Sequence, residues 1–242
     1  MFGGQGERGY EFSSTTFSPE GRIFQVEYAI EAVRHGSSAI GIKSKEGVVL
    51  TVEKRISTLQ KPETIEKIFD IDEHIGAAIA GLTADARVLI DHARLQTQIN
   101  RITYNEPMST IGLVRKICDL KQFYTINAGA RPFGVSFLIA GVDNDGSPKL
   151  FMTDPSGAYW SFKATCIGQN SESVKEFLNE EYRDDLTLDE AIILSIKALK
   201  KSLGDEKELE SKNVEIAIIK TKDRKFHRLS LEEVEKYMEK IK

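Results

Sequence analysis

Phe17-Ser18-Pro19-Glu20-Gly21-Arg22-Ile23-Phe24-Gln25-Val26-Glu27-Tyr28-Ala29 combines a sharp turn, a helix start and an apolar stripe in one unbroken run. Ser18 is placed to accept a hydrogen bond from an orphan helix N–H. Pro19 has φ preset for a first helical turn, and Glu20 brings negative charge to the positive end of the helix dipole. The run therefore predicts a helix opening at Ser18. Ile23, Val26, Ile30 and Val33 recur at three- and four-residue spacing and give it one apolar face, and Gly36 is placed to stop it in the left-handed conformation. The chemistry alone specifies a capped amphipathic helix.

Working outward, the pattern alternates between blocks of strands and pairs of helices. Ala39 to Ile42 and Val48 to Val52 flank a hairpin turn at Lys45-Glu46-Gly47, and Ile68 to Ile71 and Ile75 to Ala80 repeat it around Asp72-Glu73-His74. A helix capped by Thr83 is expected from about Ala84 to Ile102, with Val88, Leu95, Ile99 and Ile102 near helical spacing. Another begins near Ser109, places Leu113, Ile117, Leu120 and Tyr124 on one face, and ends in the Gly129 loop. Three strands follow, at Val135 to Ala140, Lys149 to Thr153 and Tyr159 to Ala164. Two helices come next, the second with a capping box at Thr187 and Glu190 and apolar positions Ile192, Ile196, Leu199 and Leu203. Val214 to Ile219 and Phe226 to Leu229 close the strand set, and Ser230 with Glu233 opens a final helix. Consecutive strands joined by tight turns argue for antiparallel sheets, with the paired helices covering their outer faces. The expected class is α+β, a four-layer α-β-β-α sandwich of two antiparallel sheets.

Composition removes several functions. The 242-residue chain has a net charge of −4 and no free-standing cluster of lysine or arginine, which gives no electrostatic case for nucleic acid. No apolar run approaches the roughly twenty residues that span a bilayer, and the N-terminus lacks the apolar core of a signal peptide. A cytoplasmic protein is expected, with no membrane partner. Cys118 and Cys166 form neither a disulfide framework nor a metal-ligand spacing and read as buried thiols. His35, His74, His92 and His227 offer no triad, and the sequence calls for no metal or cofactor.

The opening run resembles the N-terminal signature of proteasome α subunits. The likeness continues through Ile65-Glu66-Lys67-Ile68, Gly81-Leu82, Ala84-Asp85-Ala86-Arg87, Arg131-Pro132-Phe133-Gly134-Val135 and Asp154-Pro155-Ser156-Gly157, and the compact C-terminus is similar to the archaeal type. The resemblance implies the N-terminal-nucleophile hydrolase fold, with residues 1–12 a mobile gate tail and residues 13–242 a single domain. It further implies a non-catalytic subunit of a threonine-type endopeptidase complex that joins other α subunits in a seven-membered ring. That ring would lie against the proteolytic β subunits and take up the C-terminal peptide of a regulatory ATPase or other activator.

The same resemblance implies the site residues. Tyr10, Glu11, Phe12 and Pro19 fall at the gate, with Phe12 standing where the family keeps an arginine. Lys67 would pair with the terminal carboxylate of an inserted activator peptide, in a pocket lined by Gly21, Glu27, Gly36 and Leu82. The alternative is a catalytic subunit cut at Gly36-Ser37, which would expose a serine nucleophile beside Lys67 and Glu53. Against it, the nucleophile would be serine rather than threonine, the cut would discard the leading helix, and an internal serine has no free α-amine to act as base. The plain reading of Glu53 and Lys67 is a surface or interface ion pair.

Overall fold

A computed structural model describes residues 15–61, 64–204 and 209–241. The ten strands among the described residues form two antiparallel sheets. One has the order β10-β9-β2-β1-β8, built from β1 (Ala39–Ser44), β2 (Gly47–Glu53), β8 (Ala164–Ile167), β9 (Val214–Lys220) and β10 (Phe226–Arg228). The other runs in chain order through β3 (Ile68–Asp72), β4 (Ile75–Gly81), β5 (Val135–Val142), β6 (Pro148–Thr153) and β7 (Tyr159–Ser161). Six α-helices are described: α1 (Phe24–Arg34), α2 (Thr83–Tyr104), α3 (Thr110–Ile126), α4 (Ser171–Glu181), α5 (Leu188–Leu203) and α6 (Leu231–Glu239).

The layering follows from strand periodicity. Successive side chains point to opposite faces, so each central strand feeds two cores. Along β5, Val135, Phe137 and Ile139 join α2 and α3, whereas Leu138, Ala140 and Val142 fill the space between the sheets. In the other sheet Ile40, Ile42 and Val49 face α4 and α5, while Val48, Leu50 and Val52 face inward. Burial on both faces explains why these strands read as continuous apolar runs despite their antiparallel pairing. The expected α-β-β-α sandwich is the observed one.

Four local expectations are corrected. The first helix begins at Phe24, not Ser18. Ser18 to Arg22 is a closed turn in which Ser18 N–H donates to the Arg22 carbonyl (2.8 Å) and Gly21 N–H to the Ser18 carbonyl (2.8 Å), with Gly21 at φ +78°. A left-handed residue cannot continue into a right-handed helix, so Pro19 serves the turn and the Ser18 hydroxyl receives the Arg22 N–H (3.2 Å). Gly36 is not left-handed; the helix closes at His35 in the right-handed region. Tyr159 to Ala164 is not one strand, because β7 ends at Ser161 in one sheet and β8 begins at Ala164 in the other.

The fourth correction concerns α2. It begins at Thr83 with Leu82 as its cap residue and no side-chain cap. Its core face is Ala86, Leu89, Ile90 and Ala93, while Val88, Leu95, Ile99 and Ile102 are exposed, Ile102 at 85%. Helical spacing identified an apolar stripe, but Ala86, Leu89, Ile90 and Ala93 also recur at three- and four-residue spacing, and it is their face that the fold turns to the sheet. The capping boxes at Thr187/Glu190 and Ser230/Glu233 both form as expected.

Candidate functional site

The site gathers at one end of the sandwich, where α1 ends, β1 begins and β4 gives way to α2. Three backbones meet there. A Cβ on Gly36 would lie 2.5 Å from Gly81 N, and one on Gly81, which sits at φ +114°, would strike the Gly134 carbonyl. Gly36 is therefore required by close approach rather than by helix termination. Leu82 N–H donates to the Gly134 carbonyl (2.9 Å), and its exposed side chain lies over Gly134.

Asp85, in the first turn of α2, fixes this corner. It is buried and accepts two bonds from the Arg131 guanidinium (2.6 and 2.7 Å) and one from the Gly134 N–H (2.8 Å). Burial pushes its carboxyl upward, but the Arg131 bonds, the Gly134 N–H and the neighbouring positive charge outweigh that and hold it below the usual carboxylate range. The clamp assigns physical work to Asp85 and to the Arg131-Pro132-Phe133-Gly134 run, which the sequence marked only as motifs.

Lys67 lies just before β3, its carbonyl receiving the Ile79 N–H (3.1 Å). It is neither on the surface nor ion-paired in the expected way. It is 9% exposed, and its Nζ donates to the Ser37 carbonyl (2.8 Å) and to Ser37 Oγ. The Ser37 hydroxyl in turn donates to the Glu53 carbonyl (2.9 Å). Glu53 is also buried and has Arg55 as its partner at 3.5 Å. Burial lowers the Lys67 amine to about 8, with Glu53 opposing the shift and Arg55 adding to it. Gly36, Ser37, Lys67 and Leu82 thus form one cluster around the β1 start.

Gly21 and Glu27 lie at the other end of α1. Glu27 pairs with Arg22, whose guanidinium also sits 5.4 Å from the Phe24 ring centre. Eleven helical residues span about 16 Å, so a helix length separates this end from Gly36. Pro19 is exposed in the turn beyond, and Tyr10, Glu11 and Phe12 lie outside the described residues.

The family model for the N-terminal signature of A-type proteasome subunits matches residues 10–32, and the general proteasome subunit model matches residues 33–219. The chain belongs to the proteasome α-subunit family. It is 54% identical to the proteasome subunit alpha of Archaeoglobus fulgidus over 97% of this chain and 94% of that protein. It is 54% identical to that of Methanocaldococcus jannaschii over 96% and 88%, and 51% identical to that of Pyrococcus abyssi over 97% and 89%. Membership accounts for the long α1 ahead of the sandwich, since the signature match ends within that helix.

Within the family assignment, Ser37 is the residue the sequence undervalued. Its contact with Lys67 spans thirty positions and leaves no periodic trace. The thiols of Cys118 and Cys166 are buried as expected, and burial pushes both up to about 12, which keeps them protonated and inert. His74 bonds the Met108 carbonyl (2.9 Å) and approaches Asp72 rather than a nucleophile.

Proposed function

We propose that this protein is a non-catalytic member of the outer ring of a proteasome core particle, where it gates entry, receives activator C-termini and supports the proteolytic β subunits. The observation that carries the reading is how tightly the segment before Ser37 is packed: the Gly36 carbonyl accepts from Gln169 N–H (2.9 Å), and Gly36 lies against the Gly81 backbone with no room for a side chain. While Gly36 stays joined to it, the Ser37 nitrogen is an amide with no lone pair to take a proton and cannot be the base that an N-terminal nucleophile requires. The contact between Ser37 Oγ and Lys67 favours a catalytic reading only if the chain is cut at Gly36-Ser37. Such a cut would remove α1, whose Ala29 and Val33 are buried against the sandwich.

On this reading Lys67 is the charge that meets an inserted carboxylate, with Gly36 and Leu82 beside it and Gly21 and Glu27 at the far end of a groove along α1. The exposed stripe of Val88, Leu95, Ile99 and Ile102 on α2 is supporting surface for contacts between subunits. The partners are other α subunits, β subunits and a regulatory ATPase or other activator, acting in cytoplasmic, ubiquitin-independent protein degradation. Among the described residues no helix is long and apolar enough to cross a membrane. The test is Lys67→Ala in the assembled particle. Assembly should be unchanged and activator-stimulated peptide hydrolysis abolished, whereas unchanged stimulation would remove Lys67 from the docking site.

A further inference from the structure

Proton counting at Lys67 extends the docking reading, on which this inference rests. A charged lysine has three N–H donors and a neutral one has two. Two donors are already committed to Ser37, one to its carbonyl and one to Oγ, whose own hydrogen is spent on the Glu53 carbonyl. The third meets no acceptor among the described residues. Ser37 therefore takes up both donors of a neutral Lys67 and leaves one donor, together with the charge, on a protonated one.

We infer that Ser37 and Glu53 make this a proton-gated carboxylate receptor: a peptide C-terminus docks only when Lys67 carries its third proton, and the Glu53 carboxylate is the positioning group that keeps that proton on.

The surrounding charges single out Glu53. Glu53 and Arg55 approach from the end of β2, and Arg55 opposes protonation. Glu215 on β9 is held by Arg228 (2.6 Å) and Lys54 (3.5 Å), so its charge is already answered. Cys166 on β8, at about 12, is an uncharged thiol. Glu53, by contrast, is buried with Oε2 free of any hydrogen bond and Arg55 only at 3.5 Å. Its negative charge is the one left to favour the ammonium.

The experiment uses the assembled particle and a synthetic octapeptide copied from the C-terminus of its regulatory ATPase, made as the free acid and as the C-terminal amide. Dissociation constants are measured from pH 6.0 to pH 9.5. With Lys67 near 8, the charged fraction falls from about three-quarters at pH 7.5 to about a tenth at pH 9.0, so the free acid should weaken about eightfold and the amide should not change. Glu53→Gln should move the free-acid curve to lower pH, weakening binding at pH 7.5 and restoring it at pH 6.0. A merely structural loss would not be restored by acid.

A free-acid affinity that stays flat with pH overturns the inference, as does a Glu53→Gln curve that overlays the wild type or stays weak at pH 6.0. Failure of the docking reading looks different. There the wild type takes up neither peptide, or Lys67→Ala binds the free acid as tightly as the wild type.

Discussion

Asp85→Ala should destabilise the protein and loosen the corner where Gly36, Gly81, Leu82 and Gly134 meet. The magnitude follows from what each bond to Asp85 is worth. Arg131 is 61% exposed, so its ion pair contributes under about 1 kcal/mol despite two short bonds. The Gly134 N–H is buried, and leaving it without an acceptor costs about 1–3 kcal/mol. The favourable charge at the start of α2 adds about 0.3–1 kcal/mol. The sum is about 1–5 kcal/mol, which for a chain of this size lowers the melting temperature by about 3–20 °C.

The assay is thermal and urea unfolding of wild type, Asp85→Ala and Asp85→Asn at equal chain concentration. The asparagine retains an oxygen for Gly134 N–H and loses only the charge, so it should cost about 1 kcal/mol. The sign with pH is fixed by the lowered carboxyl. Stability from Asp85 is fully present above the unfolded carboxylate value of about 3.9 and is lost as pH falls through the still lower folded value. Wild type should therefore converge on Asp85→Asn in acid, because the protonated carboxyl keeps an oxygen for Gly134 N–H and loses only its charge. Because Gly134 receives Leu82 N–H and packs beneath its side chain, Asp85→Ala should also reduce activator stimulation more than Asp85→Asn does. Equal stability of wild type and Asp85→Ala at pH 7 would refute the clamp. Equal damage by alanine and asparagine would shift its weight from the Gly134 bond to the ion pair.

Lys121 on α3 is fully buried and donates to the Val135 carbonyl (2.9 Å), Thr153 Oγ1 (2.8 Å) and the Asp154 carbonyl (3.1 Å), so Lys121→Met should cost about 1–3 kcal/mol in urea unfolding at pH 7. Burial lowers its amine to about 8 against about 10.4 unfolded, so the unfolded chain holds more protons between those values, and the advantage of wild type over the variant should grow as pH rises through that window. Deleting Met1 through Phe12 should raise basal peptide hydrolysis by the assembled particle, measured without activator; an unchanged rate would show that the tail does not close the entry pore.

The sandwich was legible because its determinants are local and repetitive. The short β-rich apolar runs, the turn at Lys45-Glu46 and the capping boxes at Thr187 and Ser230 each state their structure within a few residues. What misled were places where the fold chooses between two locally sound options. Ser18-Pro19-Glu20 satisfies the rules for a helix start, but the left-handed Gly21 makes it a turn and delays α1 to Phe24. Val88, Leu95, Ile99 and Ile102 of α2 formed one apolar stripe, but Ala86, Leu89, Ile90 and Ala93 form a second at helical spacing, and only the fold decides which of the two faces the sheet.

The site shows the same division. Lys67, Gly36 and Leu82 were named from motif positions and do come together, while Gly21 and Glu27 stay at the opposite end of α1. The roles of Ser37, Glu53 and Asp85 rest on contacts between residues far apart in the chain, as with Asp85 and Arg131, 46 positions apart. No spacing rule within one helix or strand records such a pairing.

The measurement that bears most directly on the central claim is a native mass spectrum of the purified chain by itself. A non-catalytic ring subunit should appear as seven or fourteen copies of the 27.1 kDa chain, each uncut at Gly36-Ser37. A monomer beginning at Ser37 would contradict the account and restore the serine as a nucleophile.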